Sequence, residues 1–378
     1  MTQYLINKRA FDRRRLVVVD VGARYGSQKH WDVYGDQALI IGFEPDEEEC
    51  RNLNQKFSGK GHRYFPVALH KDRGFKTFYV TQFDATCGFY KRDMTFWSRL
   101  PGKEGVRVKE TQRVETVDFD SFAKDHQIEY VDFMKLDAEG AELDILEGSV
   151  NFLRGGSVLG AAIEVTFLSI AKQPVFSDVD SFMRKMGFKL FDIEVYRRSR
   201  EALPTPEELG YINSLLIGAP SKRGQVIEAD ALYLRDGAAE IEASDTESNW
   251  TDNSILKLAS IFELYGLPDC AIELLQVAIR NNYLQGLDTE YLRDLLTPQF
   301  MGKDVTYCEY MEKLEYMKEL KAKGDKGDKG FSVMEAVWKD SKLIGDMLWN
   351  DLKLIAAHYL PVPIKSFIKK TILRNLIR

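Results

Sequence analysis

The sequence VVVDVGARYG, residues 17–26, passes from an apolar segment into a turn that contains two glycines. The apolar run predicts a buried strand, and the glycines predict a tight turn that leads into a helix. In α/β folds such a turn lets backbone N–H groups approach a nucleotide-like ligand. The spacing is D-x-G-x-x-x-G rather than the dinucleotide pattern G-x-G-x-x-G, so Gly22 alone is also consistent with a purely structural turn.

A second predicted strand ends in IGFEP, residues 41–45. Its acidic residue, Glu44, lies roughly 20 residues beyond the first turn, where nucleotide-binding α/β folds hold the two ribose hydroxyls. A carboxylate suits this position because both hydroxyls donate hydrogen bonds. The competing interpretation of Glu44 is a negative charge at a helix N-terminus. Together the two motifs favour a nucleotide-type site.

Short apolar runs alternate with helical patterns through the first two-thirds of the chain, as in parallel βαβ units. The predicted strands are 16–19, 39–43, 63–69, 131–136, 158–165, 188–195 and 229–234, with a β excursion at 76–81; the predicted helices are 28–36, 46–57, 118–126, 139–153 and 177–186. The last two strands lack a helical crossover, which predicts an antiparallel hairpin at the sheet edge. Residues 82–112 have no assignable pattern. The predicted fold class is α/β, with a seven-stranded, mostly parallel sheet.

Composition narrows the functional classes. The net charge of −6 argues against a protein that grips nucleic acid as a whole, because phosphate binding needs an excess of Lys and Arg. Four widely spaced cysteines without a CxxC pair predict reduced thiols. The N-terminal apolar run is interrupted at Asp20, too early for a signal-peptide core. These features predict a cytoplasmic protein.

The segment KLDAEGAELDILEG, residues 135–148, carries five carboxylates. At about 100° per residue, Glu139 and Glu142 share the apolar stripe of the predicted helix, whereas Asp144 and Glu147 lie outside it. We therefore expect an inward pair and a solvated pair. The inward pair has two interpretations of equal weight: support of the first helical turn, where N–H groups are exposed, or direct contact with a substrate.

Five segments resemble the FkbM family of S-adenosylmethionine-dependent methyltransferases. They are DVGARYG, GFEPDEEECRNLN, the VAL at 67–69, VDFMKLDAEGAELDILEG and QVIEADALYL, which together span about residues 15–236. The resemblance implies a class I Rossmann-like methyltransferase fold with S-adenosylmethionine as cofactor. It also implies O-methylation, often of sugars in natural products or surface glycans.

The resemblance implies particular cofactor contacts. Asp20, Gly22 and Gly26 would cradle the methionine moiety, Glu44 would hold the ribose, and Asp137 would lie near the methionine amine. The implied cofactor-binding set is Asp20, Gly22, Ala23, Arg24, Tyr25, Gly26, Glu44, Pro45, Ala68, Leu69 and Asp137, with Ala68 and Leu69 beside the adenine. Many family members carry Asn where this chain has Arg24, which leaves the role of Arg24 open.

Methyl transfer to a hydroxyl is an in-line displacement that often uses a base to remove the hydroxyl proton. The candidates for base or sugar-hydroxyl binding are Glu139 and Glu164. Mg²⁺ held by Asp137, Glu139 and Glu164 would suit hard oxygen ligands, but no sequence pattern is specific for it, and we favour a metal-free site. His70 follows the third strand, at a place where it would lie near the cofactor.

The predicted function is O-methylation of a hydroxyl, on a sugar of a glycan or a lipid-linked oligosaccharide, as in polysaccharide biosynthesis. One alternative is methylation of a small metabolite or of an amide or carboxyl group. Another is a scaffold module that keeps the cofactor site without turnover. The sequence does not indicate an oligomeric state.

The methyltransferase domain is predicted to occupy residues 1–240, followed by a helical hairpin region at 254–320. The hairpin, broken at Gly266-Leu-Pro268, is interpreted as a helical cap in preference to a partner-binding repeat. Residues 321–330 predict a flexible linker and 331–378 amphipathic basic helices. The basic pattern of 363–378 suits peripheral association with the inner face of a membrane or, equally, packing on its own domain or a partner subunit.

Overall fold

The computed structural model describes residues 1–203, 224–243, 249–300 and 302–324. Within them, one sheet contains seven strands: β1 (Leu16–Val21), β2 (Ala38–Phe43), β3 (Arg63–Phe65), β7 (Phe133–Leu136), β8 (Gly160–Thr166), β9 (Lys189–Arg198) and β10 (Gln225–Leu234). Their order across the sheet is β3-β2-β1-β7-β8-β10-β9. Strand β10 is antiparallel to both β8 and β9, and the other pairs are parallel. This arrangement confirms the predicted α/β fold and its antiparallel edge.

A second, three-stranded sheet forms from β4 (Ala68–Leu69), β5 (Gly74–Thr81) and β6 (Val108–Val117) in the order β4-β6-β5. The prediction of one strand over residues 63–69 was wrong, because the chain leaves the main sheet after Phe65 and joins the small sheet at Ala68. Pro66 explains the break, since it has no N–H group for a sheet ladder. The unassigned segment 82–112 contains the whole connection from β5 to β6 and the first five residues of β6.

Twelve α-helices accompany the sheets in the described residues. They are α1 (Thr2–Asn7), α2 (Glu47–Lys56), α3 (Met94–Trp97), α4 (Phe119–Asp125), α5 (Glu142–Glu147), α6 (Val150–Arg154), α7 (Phe176–Lys185), α8 (Gly237–Glu242), α9 (Asp252–Leu264), α10 (Pro268–Arg280), α11 (Thr289–Leu296) and α12 (Tyr307–Gly324). Short 3₁₀ helices occupy Lys29–Gln37, Ser58–Lys60 and Asp84–Thr86. The helix predicted at 28–36 is thus a 3₁₀ helix, and it is kinked at Gly35, whose φ is 54°.

The prediction of one helix over 139–153 was wrong about where the helix begins and about its continuity. The helix begins only at Glu142, because Glu139 and Gly140 have left-handed φ values of 56° and 104°. It is also divided into α5 and α6 at Gly148. A Cβ at Gly148 would lie 2.5 Å from the carbonyl oxygen of His70, so this glycine permits a close contact with the chain after β4.

Both faces of the sheet are buried along its central strand β1. Along β1, Leu16 and Val18 belong to one apolar cluster, and Val17, Val19 and Val21 belong to another. The first cluster is completed by α9 and α10, which form the predicted helical hairpin. These two helices therefore cover one face of the sheet and share its core.

The boundaries predicted for the separate regions remain predictions. Helix α12 continues to Gly324, so the first four residues of the predicted linker 321–330 are helical. The remainder of that linker and the amphipathic segment 331–378, including 363–378, lie outside the described residues. Among the helices that are described, none combines the length and the apolar character needed to cross a membrane. The four cysteines are free thiols, as predicted.

Candidate active site

A pocket opens at the carboxyl ends of β1, β2 and β7, where ligands bind in open α/β sheets. Most of the predicted cofactor residues line it, as does one of the two predicted catalytic residues. They are Gly22, Arg24, Tyr25, Glu44, Pro45, Ala68, Leu69, Asp137 and Glu139. The other predicted residues, Asp20, Ala23, Gly26 and Glu164, do not belong to this lining.

Gly22 is fixed by a close approach between two strand ends. Its φ is 73°, and a Cβ there would lie 1.9 Å from the carbonyl oxygen of Asp137. The N–H groups of Gly22 and Ala23 both donate to the carbonyl oxygen of Phe43 at 3.1 Å. These two donors are therefore used within the fold, and the turn shapes the pocket through the absence of a side chain at Gly22.

Glu44 is 5% exposed and lines the pocket at the end of β2. Its Oε1 accepts a hydrogen bond from the N–H of Asp46 at 2.9 Å. Burial raises the pKa of Glu44, and that backbone hydrogen bond opposes the rise. The geometry places a carboxylate acceptor on the pocket wall, and its contact with a ribose stays a prediction.

Arg24, whose role was open, connects the β1 turn to neighbouring loops. Its Nη2 lies 2.9 Å from Asp46 Oδ2, and its Nη1 donates to the carbonyl oxygen of Asp84 at 3.4 Å. Asp46 in turn caps α2, accepting from the N–H groups of Glu48 and Glu49. Arg24 thus helps to hold the first two loops of the site together.

Asp20 lies inside the sheet beside a residue that the sequence analysis missed, Lys135. The Lys135 Nζ is 3.6 Å from Asp20 Oδ1 and 3.1 Å from Asp137 Oδ2. Burial raises the pKa of Asp20 to about 6, and Lys135 opposes the rise. A lysine within the apolar strand FMKL was the available signal. It acts as a shared cation beneath the end of β7.

The predicted carboxylates at the ends of β7 and β8 come together. In the register of the two strands Leu136 pairs with Ile163, and Asp137 and Glu164 follow these positions. Carboxylate oxygens of Asp137, Glu139 and Glu164 lie within 4.8 Å of one another. Burial, together with the negative charges nearby, holds the pKa values of Glu139 and Glu164 above the usual glutamate range.

Glu142 supports the loop before α5. Its Oε1 accepts from the N–H of Ala138 at 2.7 Å and from the N–H of Gly140 at 3.2 Å. Burial raises its pKa to about 7, and these hydrogen bonds oppose the rise. Its inward orientation was predicted, and of the two interpretations its contacts favour support. Glu139 does not share this helical position, since it precedes the helix.

The prediction that Asp144 is solvated was wrong, whereas Glu147 is exposed as predicted. Asp144 is 6% exposed, and its Oδ2 accepts from the hydroxyl of Tyr90 at 2.7 Å. Lys71 Nζ and His70 Nε2 lie 3.3 and 3.5 Å from its carboxylate. Helix periodicity identifies only the side of α5 that faces the sheet. On the opposite side, the segment 82–112 covers Asp144 through Tyr90. His70 itself contacts Phe89, a residue of the pocket wall.

The segment 82–112 also supplies pocket residues that the sequence analysis missed. Asp84, Ala85, Cys87 and Phe89 line the pocket. The same segment brings in Arg92, whose Nη2 donates to Glu139 Oε2. The signal was weak, because a polar stretch with scattered aromatic residues has no periodicity.

Residues 20–190 match the family described as Methyltransferase FkbM domain. Among curated protein sequences, none matches the chain. Solved structures with similarity include a TehB-like SAM-dependent methyltransferase from Corynebacterium glutamicum, with 12% identity, a TM-score of 0.25, and coverage of 62% of this chain and 86% of that one. A SAM-dependent methyltransferase from Agrobacterium tumefaciens has 11% identity, a TM-score of 0.27, and coverage of 61% and 59%. Because these identities and TM-scores are low, the fold assignment is based on the strand order of the main sheet and not on these similarities.

Proposed function

We propose that the chain, which carries an FkbM methyltransferase domain over residues 20–190, uses S-adenosylmethionine to methylate a hydroxyl of a sugar. The domain makes the protein a methyltransferase. The cofactor, the type of acceptor and the roles of individual residues are the proposed part. The observation that carries the proposal is the meeting of Glu44, Asp137 and Glu139 around one pocket at the sheet's carboxyl edge.

The pocket residues fit the parts of this cofactor. Glu44 offers a carboxylate to the ribose hydroxyls, and the neighbouring wall is apolar, as an adenine ring requires. That wall consists of Val67, Ala68, Leu69, Phe78 and Phe89. Asp137, at the end of β7, offers a partly exposed carboxylate to an ammonium group; its side chain is 44% exposed. A cationic cofactor also suits the excess of carboxylates around the pocket.

The bound cofactor supplies an electrophilic methyl group on a sulfonium. The chain's own residues must orient the acceptor hydroxyl and take its proton as the new oxygen–carbon bond forms. Glu139 or Glu164 fits this task, because a carboxylate with a raised pKa is a stronger base once it is ionised. The acceptor's proton would end on that carboxylate.

The charge of the cluster supports a hydroxyl-rich acceptor. Asp137, Glu139 and Glu164 present several hydrogen-bond acceptors within a small space, which suits the many donors of a sugar. An acceptor carboxylate would be repelled there, so the cluster disfavours the carboxyl alternative. A hydroxyl on a small metabolite remains the second candidate. The proposed acceptor is a glycan or a lipid-linked oligosaccharide.

Calorimetric titration with S-adenosylmethionine tests the cofactor first, and failure to bind would reject the proposal. Glu44→Ala should weaken binding by about tenfold or more, because a charged hydrogen bond contributes roughly 1.5–3 kcal/mol. Glu48→Ala is the matched control, since that carboxylate is exposed on the following helix. Labelled cofactor with a panel of demethylated glycans then tests the acceptor. Transfer to small metabolites alone would overturn the sugar assignment.

We also propose that residues 363–378 associate with an anionic membrane surface, which would bring the enzyme to a lipid-linked acceptor at the inner face. The support is the sequence pattern of apolar and basic residues. Flotation of the full chain with anionic liposomes, compared with a chain that ends before Phe331, is the test. Equal flotation of the two would reject this localisation.

A further inference from the structure

Arg92 is a buried cation on residues 82–112, which cover the site and are called the covering segment below. The residue is 8% exposed, and its Nη2 donates to Glu139 Oε2. Its guanidinium carbon lies 5.6 Å from the centre of the Trp97 ring. Trp97 is itself buried in a small apolar cluster with Ile170 and Ile227. The guanidinium is therefore held between a fixed ring and a single carboxylate.

Glu139 needs such a partner, because the charges around it are mostly negative. The carboxylates that act on it electrostatically are Asp137, Glu142 and Glu228, and Glu164 shares the same cluster. Two nearby cations are already engaged: Lys135 lies between Asp20 and Asp137, and Arg198 lies 3.8 Å from Glu228. Arg92 is the cation that contacts Glu139 directly in the described part of the chain.

The backbone at Glu139 also depends on its surroundings. A non-glycine residue with a φ of 56° is held in a sparsely populated conformation. Gly88, on the covering segment, packs so closely that a Cβ there would lie 3.1 Å from Glu139 Cβ. The segment thus touches Glu139 at two places, through Gly88 at the backbone and through Arg92 at the carboxylate.

We propose that Arg92 is a positioning residue that fixes the Glu139 carboxylate in the pocket as the built-in counter-ion of the Asp137–Glu139–Glu164 cluster. This inference depends on the proposed function, in which Glu139 meets the acceptor hydroxyl. An arginine suits the task because its guanidinium remains charged when buried and stacks on an aromatic face. Through Arg92, the covering segment then takes part in the site, because it determines the position and the protonation of Glu139, the candidate base.

The test compares Arg92→Met, Arg92→Lys and Arg99→Met in the full-length protein. Arg99 is the matched control, because it lies exposed on the same segment. The side-chain carboxyl carbon of Glu139 is followed by ¹³C NMR as the pH is changed, with Glu139→Gln used for assignment. An adjacent opposite charge lowers a carboxyl pKa by about 1–3 units, so Arg92→Met should raise the midpoint by about one unit or more. Arg92→Lys should restore most of the difference.

A midpoint that is the same in Arg92→Met and wild type would overturn the proposal, as would a shift of equal size in Arg99→Met. If Arg92→Met does not fold, the proposal is tested by Arg92→Lys together with Arg92→Gln. Mn²⁺ binding to wild type, detected by its paramagnetic resonance and lost in Glu164→Gln, would also overturn it, because the cluster would then take a free cation.

The kinetic readout uses an acceptor from the glycan panel. In Arg92→Met we expect kcat to fall about tenfold or more while the calorimetric Kd for S-adenosylmethionine stays within about twofold. An unchanged kcat would reject the positioning role. Failure of the wild type to bind the cofactor would instead reject the proposed function, so the two failures are distinguishable.

Discussion

The two ends of strand β7 carry aspartates with opposite surroundings. Asp132 directly precedes Phe133, and Asp137 directly follows Leu136. Asp132 Oδ2 accepts from the N–H of Val17 and from Lys257 Nζ, both at 2.8 Å. The Lys257 side chain is fully buried, and its Nζ also donates to the carbonyl oxygen of Arg15 at 2.8 Å. This end is buried and balanced in charge.

The other end of β7 has more acids than bases and is open to the pocket. Asp137 contacts Lys135, but Glu139 and Glu164 bring further negative charge to within 4.8 Å. The difference shows that an aspartate at the end of a strand does not indicate a functional site by its residue type alone, because its partners decide. At the amino end its partners satisfy it, and at the carboxyl end it belongs to a cluster of carboxylates beside the pocket.

The largest expected effect comes from removing the candidate base at the open end. Glu139→Gln should lower methyl transfer by about 10²–10⁴-fold, the range for loss of a general base. The cofactor Kd should change little, since Glu44 and the apolar wall are untouched. Initial rates with labelled cofactor measure the first effect and calorimetry measures the second. Glu164→Gln is run in parallel, and a loss confined to that variant would assign the base to Glu164.

The same group determines the pH dependence. Burial, followed by the charges of neighbouring carboxylates, raises the pKa of Glu139, and Arg92 opposes the rise. A base must be ionised to accept a proton, so transfer should increase as the pH rises through this elevated pKa. A rate that is flat from about pH 5 to 9 would contradict this, given an ordinary glutamate pKa of about 4.3. Residual transfer in Glu139→Gln should lack the increase.

A variant at the amino end of β7, where Asp132 pairs with Lys257, should lose stability rather than activity. Lys257→Met leaves Asp132 buried without its cation, and breaking a buried pair costs about 3–5 kcal/mol of unfolding free energy. Burial already raises the pKa of Asp132, and Lys257 opposes that rise, so the variant raises this pKa further and its folded state binds an extra proton. The loss of stability should therefore be smaller near pH 5 and larger near pH 8. Urea unfolding at both pH values measures it.

Its control is Lys257→Met combined with Asp132→Asn, which removes both charges but keeps an acceptor for the Val17 N–H. This double variant should recover a large part of the lost stability. Equal stability of the single and double variants would show that Lys257 acts through packing alone.

Gly22 tests the contact between β1 and the open end of β7. Gly22→Ala should cost on the order of 2–4 kcal/mol, because a Cβ would meet the Asp137 carbonyl oxygen at 1.9 Å. Gly35→Ala is a matched control: its φ is also positive, at 54°, but nothing lies within 4 Å of the added Cβ. With φ 54° and ψ −126°, the site lies in a sparsely populated region outside the left-handed helical one, so Gly35→Ala should cost the backbone penalty alone, about 1–3 kcal/mol. Calorimetry should also show weaker cofactor binding in Gly22→Ala alone.

The sequence predicted the sheet well because each strand of the main sheet is a local pattern. The alternation of Leu16 and Val18 with Val17 and Val19 corresponds to two buried faces. Glu44 and Gly22 were found because they follow strands at positions that the topology fixes. The carboxyl edge of a parallel sheet collects such residues whatever the rest of the chain does.

The covering segment could not be predicted in the same way. Arg92 reaches Glu139 across 47 positions of the sequence, and no periodicity encodes that distance. Glu139 was placed on a helix because residues 139–153 fit a 3.6-residue repeat, whereas its backbone is left-handed and Gly88, distant in sequence, packs against it. Asp144 was misassigned for the same reason. Contacts between residues that are distant in sequence determine the surroundings of Arg92, Glu139 and Asp144.

Asp144 and Glu147 give the smallest but most direct comparison, since both lie on α5 outside its apolar stripe. Asp144→Ala should cost about 1–3 kcal/mol, because it leaves the Tyr90 hydroxyl and the Lys71 ammonium without their shared acceptor. Glu147→Ala should change the unfolding free energy by no more than about 0.5 kcal/mol, as at other exposed sites. Urea unfolding of both variants measures the difference. Equal, small losses would mean that the covering segment does not hold this face of the helix, and the segment's contact with Glu139 through Arg92 would then lose its support as well.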